Sequence, residues 1–267
     1  MTSTHTDRPH PHLRVETAGP VRTLVLDHPD KRNAQTPSFW AALAEQARSV
    51  PDDVRVVVLR GEGPAFSAGI DTAMFTPEGV PGEESVLSLA AGGPAGIQAG
   101  IARYQEGFTA WAQCPAVVVA QVHGYAIGAG FQLALAADLR LAALDAWFAM
   151  RETSLGLVPD LGGTGPLVHL VGYARALELC ATGRPVSTPE AHAMGLLTSM
   201  APAADLDDAT ASLVAALLEA PDAALRALKP LLRAAVTNDA AAQLHAEREA
   251  QTGLLLGMLG RLRPDAS

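Results

Sequence analysis

Cysteine is scarce in this sequence. Only Cys114 and Cys180 occur in 267 residues, with no CxxC pair and no disulfide framework, so a reduced, cytoplasmic setting is expected. Basic residues are also few. Nineteen Lys and Arg stand against 28 Asp and Glu, and the formal charge of −9 excludes a general nucleic-acid-binding surface while leaving room for a local basic patch. No apolar run approaches the ~20 residues needed to cross a bilayer. The opening "MTSTHTDRPHPH" lacks the apolar stretch of a secretory signal, so a soluble protein without a membrane partner is expected. His5, His10 and His12 in that opening have no acidic or cysteine neighbour in sequence. Residues 1–12 therefore read as a disordered leader, and no metal site is expected. The nucleotide cradle GxxxxGK[ST] is missing as well.

What remains is the composition of a globular protein, 49% hydrophobic and 18% charged, long enough for one large domain or a domain with an appended lobe. "LRVETAGPVRTLVLDHP" reads as two strands around Gly19-Pro20, and "TPSFWAALAEQARSV" as a helix with Thr36 as N-cap and Pro37 at its first position. "VRVVVLRG" is a buried β-branched strand. Residues 72–97, rich in Gly, Pro, Ser and Ala, read as a long mobile loop. A helix over 97–113, the strand "AVVVAQVHG", a glycine turn, a short helix and the strand "DLRLAAL" follow. Amphipathic segments at 203–219, 222–236 and 239–258 mark a helical lobe that begins near residue 200.

The glycine turn, "VHGYAIGAGFQLALAAD" at 122–138, sits between a strand and a helix, where the backbone can be approached closely and helix-start N–H groups lack partners. Its GxxxGxG spacing suits a nicotinamide cofactor. The turn lies mid-chain, however, and Tyr104, Tyr125 and Tyr173 have Phe108, Ala129 and Leu177 four residues on, where such dehydrogenases need lysine. "AFSAG" at 65–69 is a weak match to a serine nucleophile elbow, with Ser67 as a minor candidate.

Four ordered motifs point elsewhere. "LDHPDKRNAQT" (26–36), "FSAGID" (66–71), "VHGYAIGAGFQLALAADLRLA" (122–142) and "FAMRETSLGLVPDLGGTGPLVHLVG" (148–172) resemble the signature of the crotonase, or enoyl-CoA hydratase/isomerase, family; "LCATGRPVSTPEAHAMGLL" (179–197) fits its downstream region. The resemblance spans roughly residues 13 to 235. It implies an α/β fold: a spiral of ββα repeats over 13–200 and a C-terminal helical trimerisation lobe over 201–267. It also implies an acyl-CoA thioester as ligand, no separate cofactor, and a homotrimer or dimer of trimers.

By that resemblance the N–H groups of Ala68 and Ala129 form an oxyanion hole for a thioester enolate, and Glu152 is the proton-transferring carboxylate. Gln132 stands where hydratases carry the first of two glutamates; it can orient water but cannot exchange a proton. Asp160 either caps the following helix or belongs to the active site. Substrate contacts are implied for Lys31, Arg32, Ala34, Ser67, Gly69, Ile70, Asp71, Tyr125 and Gly128, although Lys31 and Arg32 also fit as solvated surface charges. His123 and His169 read as satisfied core histidines. The tail "GRLRPDAS" is only loosely similar to the basic tail of relatives. The leading expectation is an enoyl-CoA isomerase. Hydration of a 2-enoyl-CoA and non-catalytic acyl-CoA binding are the alternatives.

Overall fold

The computed structural model describes residues 5–262; residues 1–4 and 263–267, the latter most of the "GRLRPDAS" tail, lie outside it. The chain divides at Ser212/Leu213 into two compact units.

In the first unit, strands β1 (His5–His10), β2 (Leu13–Ala18) and β3 (Val21–Leu26) form an antiparallel meander. Helix α1 (Pro37–Arg48) returns the chain to β4 (Val56–Gly61), which runs parallel to β3. Helices α2 (Val86–Ala91) and α3 (Gly93–Gln113) precede β5 (Val117–Val122), β6 (Tyr125–Ile127) and α4 (Ala129–Ala136). Then come β7 (Leu139–Ala143), β8 (Trp147–Ala149), α5 (Thr164–Val171), α6 (Tyr173–Thr182), β9 (Val186–Ser187), α7 (Thr188–Ala193) and β10 (Ser199–Ala201). Helix α8 (Leu206–Glu219) crosses the division. In the second unit α9 (Asp222–Ala234) packs on α10 (Ala240–Leu262).

One sheet has the order β1-β2-β3-β4-β5-β7-β10 and a smaller one β6-β8-β9. In the middle of the chain a strand of the large sheet is followed by one of the small sheet, β5 then β6 and β7 then β8, before a helix closes the turn. This is the expected ββα spiral. The Val-rich strands β4 and β5 are buried almost throughout, as parallel strands with both faces covered must be.

Two expectations change. The leader contains β1, paired in register with β2, because backbone ladder bonds and the Arg8–Asp27 ion pair tie its polar side chains to the sheet edge. The loop at 72–97 is largely structured: a helical turn at Thr72–Phe75, capped by Asp71, is followed by α2, capped by Ser85, and by the start of α3. Local caps supply the partners that its small residues do not.

Candidate active site

The site begins with a buried polar hub. Ser67, fully buried, donates its hydroxyl to the carbonyl of Asn33 (2.7 Å) and accepts from Gln35 Nε2 (2.9 Å) and Gly69 N (3.2 Å). Gln35 Oε1 in turn accepts from Trp40 Nε1 at 2.8 Å. Asn33 holds the 61–65 turn through bonds to the carbonyls of Glu62 and Ala65 at 2.9 and 2.8 Å. Ser67 does not line the cavity, and neither a nucleophile nor a substrate contact remains open to it.

The hub presses the 66–70 segment against β6. Ser67 N donates to Tyr125 O (3.1 Å) and Ile127 N to Ser67 O (3.0 Å). A Cβ on Gly69 would lie 2.6 Å from Ile127 O and 3.3 Å from Ala129 N, so the two backbones abut here only because residue 69 is glycine. Gly130 is equally constrained, since a Cβ there would meet Ser67 O at 2.6 Å.

The backbone donors of this segment differ in what they bond. The N–H of Ala68 is engaged by the carbonyl of Arg32 at 2.9 Å. Ile70 lies in an isolated parallel bridge with Gln35, whose bonds run from Gln35 N to Gly69 O and from Asp71 N to Gln35 O. In that pattern the N–H of the central residue points away from its partner. Among the described residues neither Ile70 N–H nor Ala129 N–H has a hydrogen-bond acceptor, and both residues line the same cavity. The amides left free on this cavity are thus those of Ile70 and Ala129, while that of Ala68 is already bonded. Ala129 stands as expected at the first position of α4, where the helix dipole adds positive potential.

The cavity holds about 620 Å³ and is also lined by Glu152, Asp160, Gln132, Gly128 and Trp147. Glu152 opens a helical turn at Glu152–Leu155. Its Oε1 accepts from Gln132 Nε2 at 2.7 Å, while its buried Oε2 has no hydrogen-bond partner among the described residues. Gly128, at φ 51° and ψ −118°, places its Cα beside this carboxylate: a Cβ there would be 3.4 Å from Oε1. Burial raises the Glu152 pKa above the ordinary carboxylate range; the Gln132 hydrogen bond opposes that shift and the charge of Asp160 reinforces it.

Gln132 is occupied on both sides. Its Oε1 accepts from Leu161 N (2.9 Å) and Gly163 N (3.2 Å), so the amide that orients Glu152 also holds the 161–163 loop. Asp160 is no helix cap: α5 starts at Thr164 with Gly163 as N-cap and no side-chain cap. Its carboxyl lines the cavity, its pKa raised by burial, and its backbone carbonyl accepts from Gln105 Nε2 at 2.7 Å.

Other expected contacts lie apart from the cavity. Tyr125 packs on Trp147 with ring centroids 5.1 Å apart and does not itself line it. Ala34 and Asp71 border a second hollow of about 420 Å³ with His10, His12 and His28. Lys31 and Arg32 are exposed; Lys31 Nζ is 3.8 Å from Asp71 Oδ2, and Arg32 adopts a left-handed φ of 53°. His123 is satisfied, with Nε2 2.8 Å from Gly63 O, whereas His169 is exposed on α5 rather than in the core. No group of three or more His, Cys, Asp or Glu side chains suited to a metal occurs among the described residues. No described helix is long and apolar enough to cross a membrane.

The sequence reading missed the far wall: Leu89 of α2, Ile97, Ile101 and Tyr104 of α3, and Glu84 between the elements. The helical spacing of Ile97, Ile101, Tyr104 and Phe108 was a legible signal for one face of α3.

Comparison with known proteins bears on the family of the chain. Residues 16–255 match the family model described as enoyl-CoA hydratase/isomerase. The chain is 33% identical over 239 residues to a Rhodobacter capsulatus "Probable enoyl-CoA hydratase" (90% of this chain, 88% of the relative). It is also 33% identical over 235 residues to the 1,2-epoxyphenylacetyl-CoA isomerase of Escherichia coli K12 (86% and 85%). A Thermobifida fusca YX protein assigned as an enoyl-CoA hydratase, solved with acetoacetyl-CoA, superposes with a TM-score of 0.88 at 46% identity, covering 92% of this chain and 95% of that one. With its whole core matched and its two-sheet spiral shared, this chain belongs to the enoyl-CoA hydratase/isomerase, or crotonase, family of enzymes.

Proposed function

We propose that this enzyme binds an enoyl-CoA thioester and moves its double bond by proton transfer. The observation that carries the reading is the unpartnered Oε2 of Glu152, set in the cavity that the free amides of Ile70 and Ala129 also face. The thioester oxygen accepts from those two amides. In a 3-enoyl-CoA, Glu152 removes a proton from C2; the electron pair delocalises onto the oxygen as a dienolate, which the amides stabilise. The protonated carboxyl then returns the proton at C4 and leaves the conjugated 2-enoyl thioester. Atoms and charge balance without a second reactant.

Gln132 serves as a positioning residue that aims Glu152 and cannot itself exchange a proton. Acetoacetyl-CoA in the Thermobifida fusca relative supports the thioester assignment, and the exposed Lys31 and Arg32 are the proposed contacts for the nucleotide end, with Ala34 and Asp71 as further substrate contacts. Asp160 favours a longer transfer as a second reading. It is a protonatable group on the same cavity, and dienoyl-CoA isomerases are among the relatives, one of human mitochondria at 34% identity over 205 residues. A trimer or dimer of trimers remains part of the proposal, supported by the exposed Leu228, Leu232 and Val236 at four-residue spacing.

Incubation of purified protein with a 3-enoyl-CoA should build up the ultraviolet absorbance of the conjugated thioester, and Glu152→Ala should abolish it. Undiminished turnover by that variant sinks the assignment. Loss of the chromophore from a 2-enoyl-CoA would mark hydration instead. Failure of the C2 proton to exchange in deuterated water would mark a binding protein. Asp160→Asn separates the two isomerase readings by impairing dienoyl substrates alone.

A further inference from the structure

The wall of the cavity opposite α4 in the chain's order is almost wholly apolar: Val86, Leu89, Ile97 and Ile101 contribute to it. Glu84 and Tyr104 interrupt it. The Tyr104 hydroxyl donates to Glu84 Oε2 at 2.7 Å, and Arg103 Nη2 donates to the same oxygen at 2.9 Å. Glu84 Oε1 is left without a partner among the described residues. Burial raises the Tyr104 pKa well above its ordinary range and the bond to Glu84 adds to this, so the hydroxyl keeps its proton and stays directed at the carboxylate.

Glu84 is exposed where it borders the cavity, and its neighbours hold the pair in place. Trp40 supports the Tyr104 ring at a centroid distance of 5.1 Å, and Trp40 is itself fixed through Nε1 to Gln35. Arg103 anchors Glu84 from the solvent side with an ion pair. A carboxylate with one oxygen committed to two donors and the other open is an acceptor looking for a hydrogen. In an apolar wall, such a group disfavours a purely hydrocarbon neighbour, which would strip water from it and give nothing back.

We infer that the acyl group this site takes carries a hydrogen-bond donor, a hydroxyl, away from the thioester, and that Glu84 and Tyr104 read it. The hydroxyl donates to Glu84 Oε1 while the Tyr104 oxygen lies within the same polar spot. The inference rests on the thioester reading above and narrows it to hydroxylated acyl chains.

The test uses saturated thioesters, which cannot be isomerised and so report binding alone. Hexanoyl-, octanoyl- and decanoyl-CoA and their ω-hydroxy derivatives compete against a fluorescent acyl-CoA on the wild-type enzyme and on Glu84→Ala, Tyr104→Phe and the double variant. Circular dichroism checks that each is folded. In the wild type one ω-hydroxy chain should bind about tenfold tighter than its parent, the gain of one hydrogen bond to a charged acceptor less the water given up. The preference should fall in each single variant and vanish in the double one, while parent chains bind the Glu84→Ala variant at least as tightly as the wild type. Absence of any preference in the wild type, or a preference that survives in the double variant, overturns the inference and leaves the isomerase reading standing. If no acyl-CoA binds at all, the thioester reading falls and this inference with it.

Discussion

Replacing Ala129 by proline would remove one amide hydrogen from the site and set the ring Cδ in its place, on the side of the cavity where the thioester oxygen is proposed to sit. The residue is the first of α4, a position where the N–H has no intrahelical acceptor and proline's fixed φ suits the helix. The preceding Gly128 has ψ −118°, outside the α region that proline disfavours in the residue before it. Loss of one oxyanion donor costs about 3 kcal/mol in the transition state, or roughly a hundredfold to a thousandfold in kcat. Folding stability should change by less than about 0.5 kcal/mol, a shift of the thermal midpoint by about 2 °C or less in a protein of this size. The assay is double-bond migration at saturating 3-enoyl-CoA, paired with a melting curve. Ala129→Gly serves as control: it keeps the N–H, and its kcat should stay within about threefold of wild type. A folded Ala129→Pro enzyme that also stayed within threefold would refute the two-amide argument.

Four further outcomes follow from the hydrogen-bond and proton inventory. Gln132→Ala strips the acceptor from Leu161 N and Gly163 N and the donor from Glu152; chemical denaturation should show a loss of about 2–3 kcal/mol, together with a lower kcat. Ser67→Ala should cost about 1–3 kcal/mol through the broken hub, and a serine-directed phosphonate should leave the wild type unlabelled. Glu152 keeps its proton in the folded state at pH values where the unfolded chain has lost it. Its contribution to stability is therefore full below the ordinary carboxyl range and is lost as pH rises through its elevated pKa, so denaturation curves of Glu152→Gln should lack that part of the slope. The rate of proton abstraction should rise through the same elevated pKa, and Asp160→Asn should move that limb to lower pH by removing a neighbouring charge.

Much of this molecule could be read from local pattern. The Val-rich runs of β4 and β5, the Gly19-Pro20 hairpin, the proline start of α1 and the amphipathic α9 are consequences of residue type and spacing over a few turns of chain. Glu152 and Ala129 were expected from the family resemblance of their contiguous motifs, and the structure sets both on one cavity. The leader was misread because β1 is polar and gains its order from β2, a partner that hydropathy does not reveal. The 72–97 segment was misread because its small residues are held by caps at Asp71 and Ser85.

The division between Ala68 and Ile70 could come only from the tertiary structure. Both residues sit in one hexapeptide with nothing in composition to tell their amides apart. Which N–H is free depends on where the carbonyls of Arg32 and Gln35, more than thirty residues earlier, come to lie against it. Asp160 was decided the same way, by where α5 begins, and Gln132 by the loop that leans on it. Sequence determined which groups could do the chemistry; the packing of distant backbone determined which of them were left with nothing else to bond.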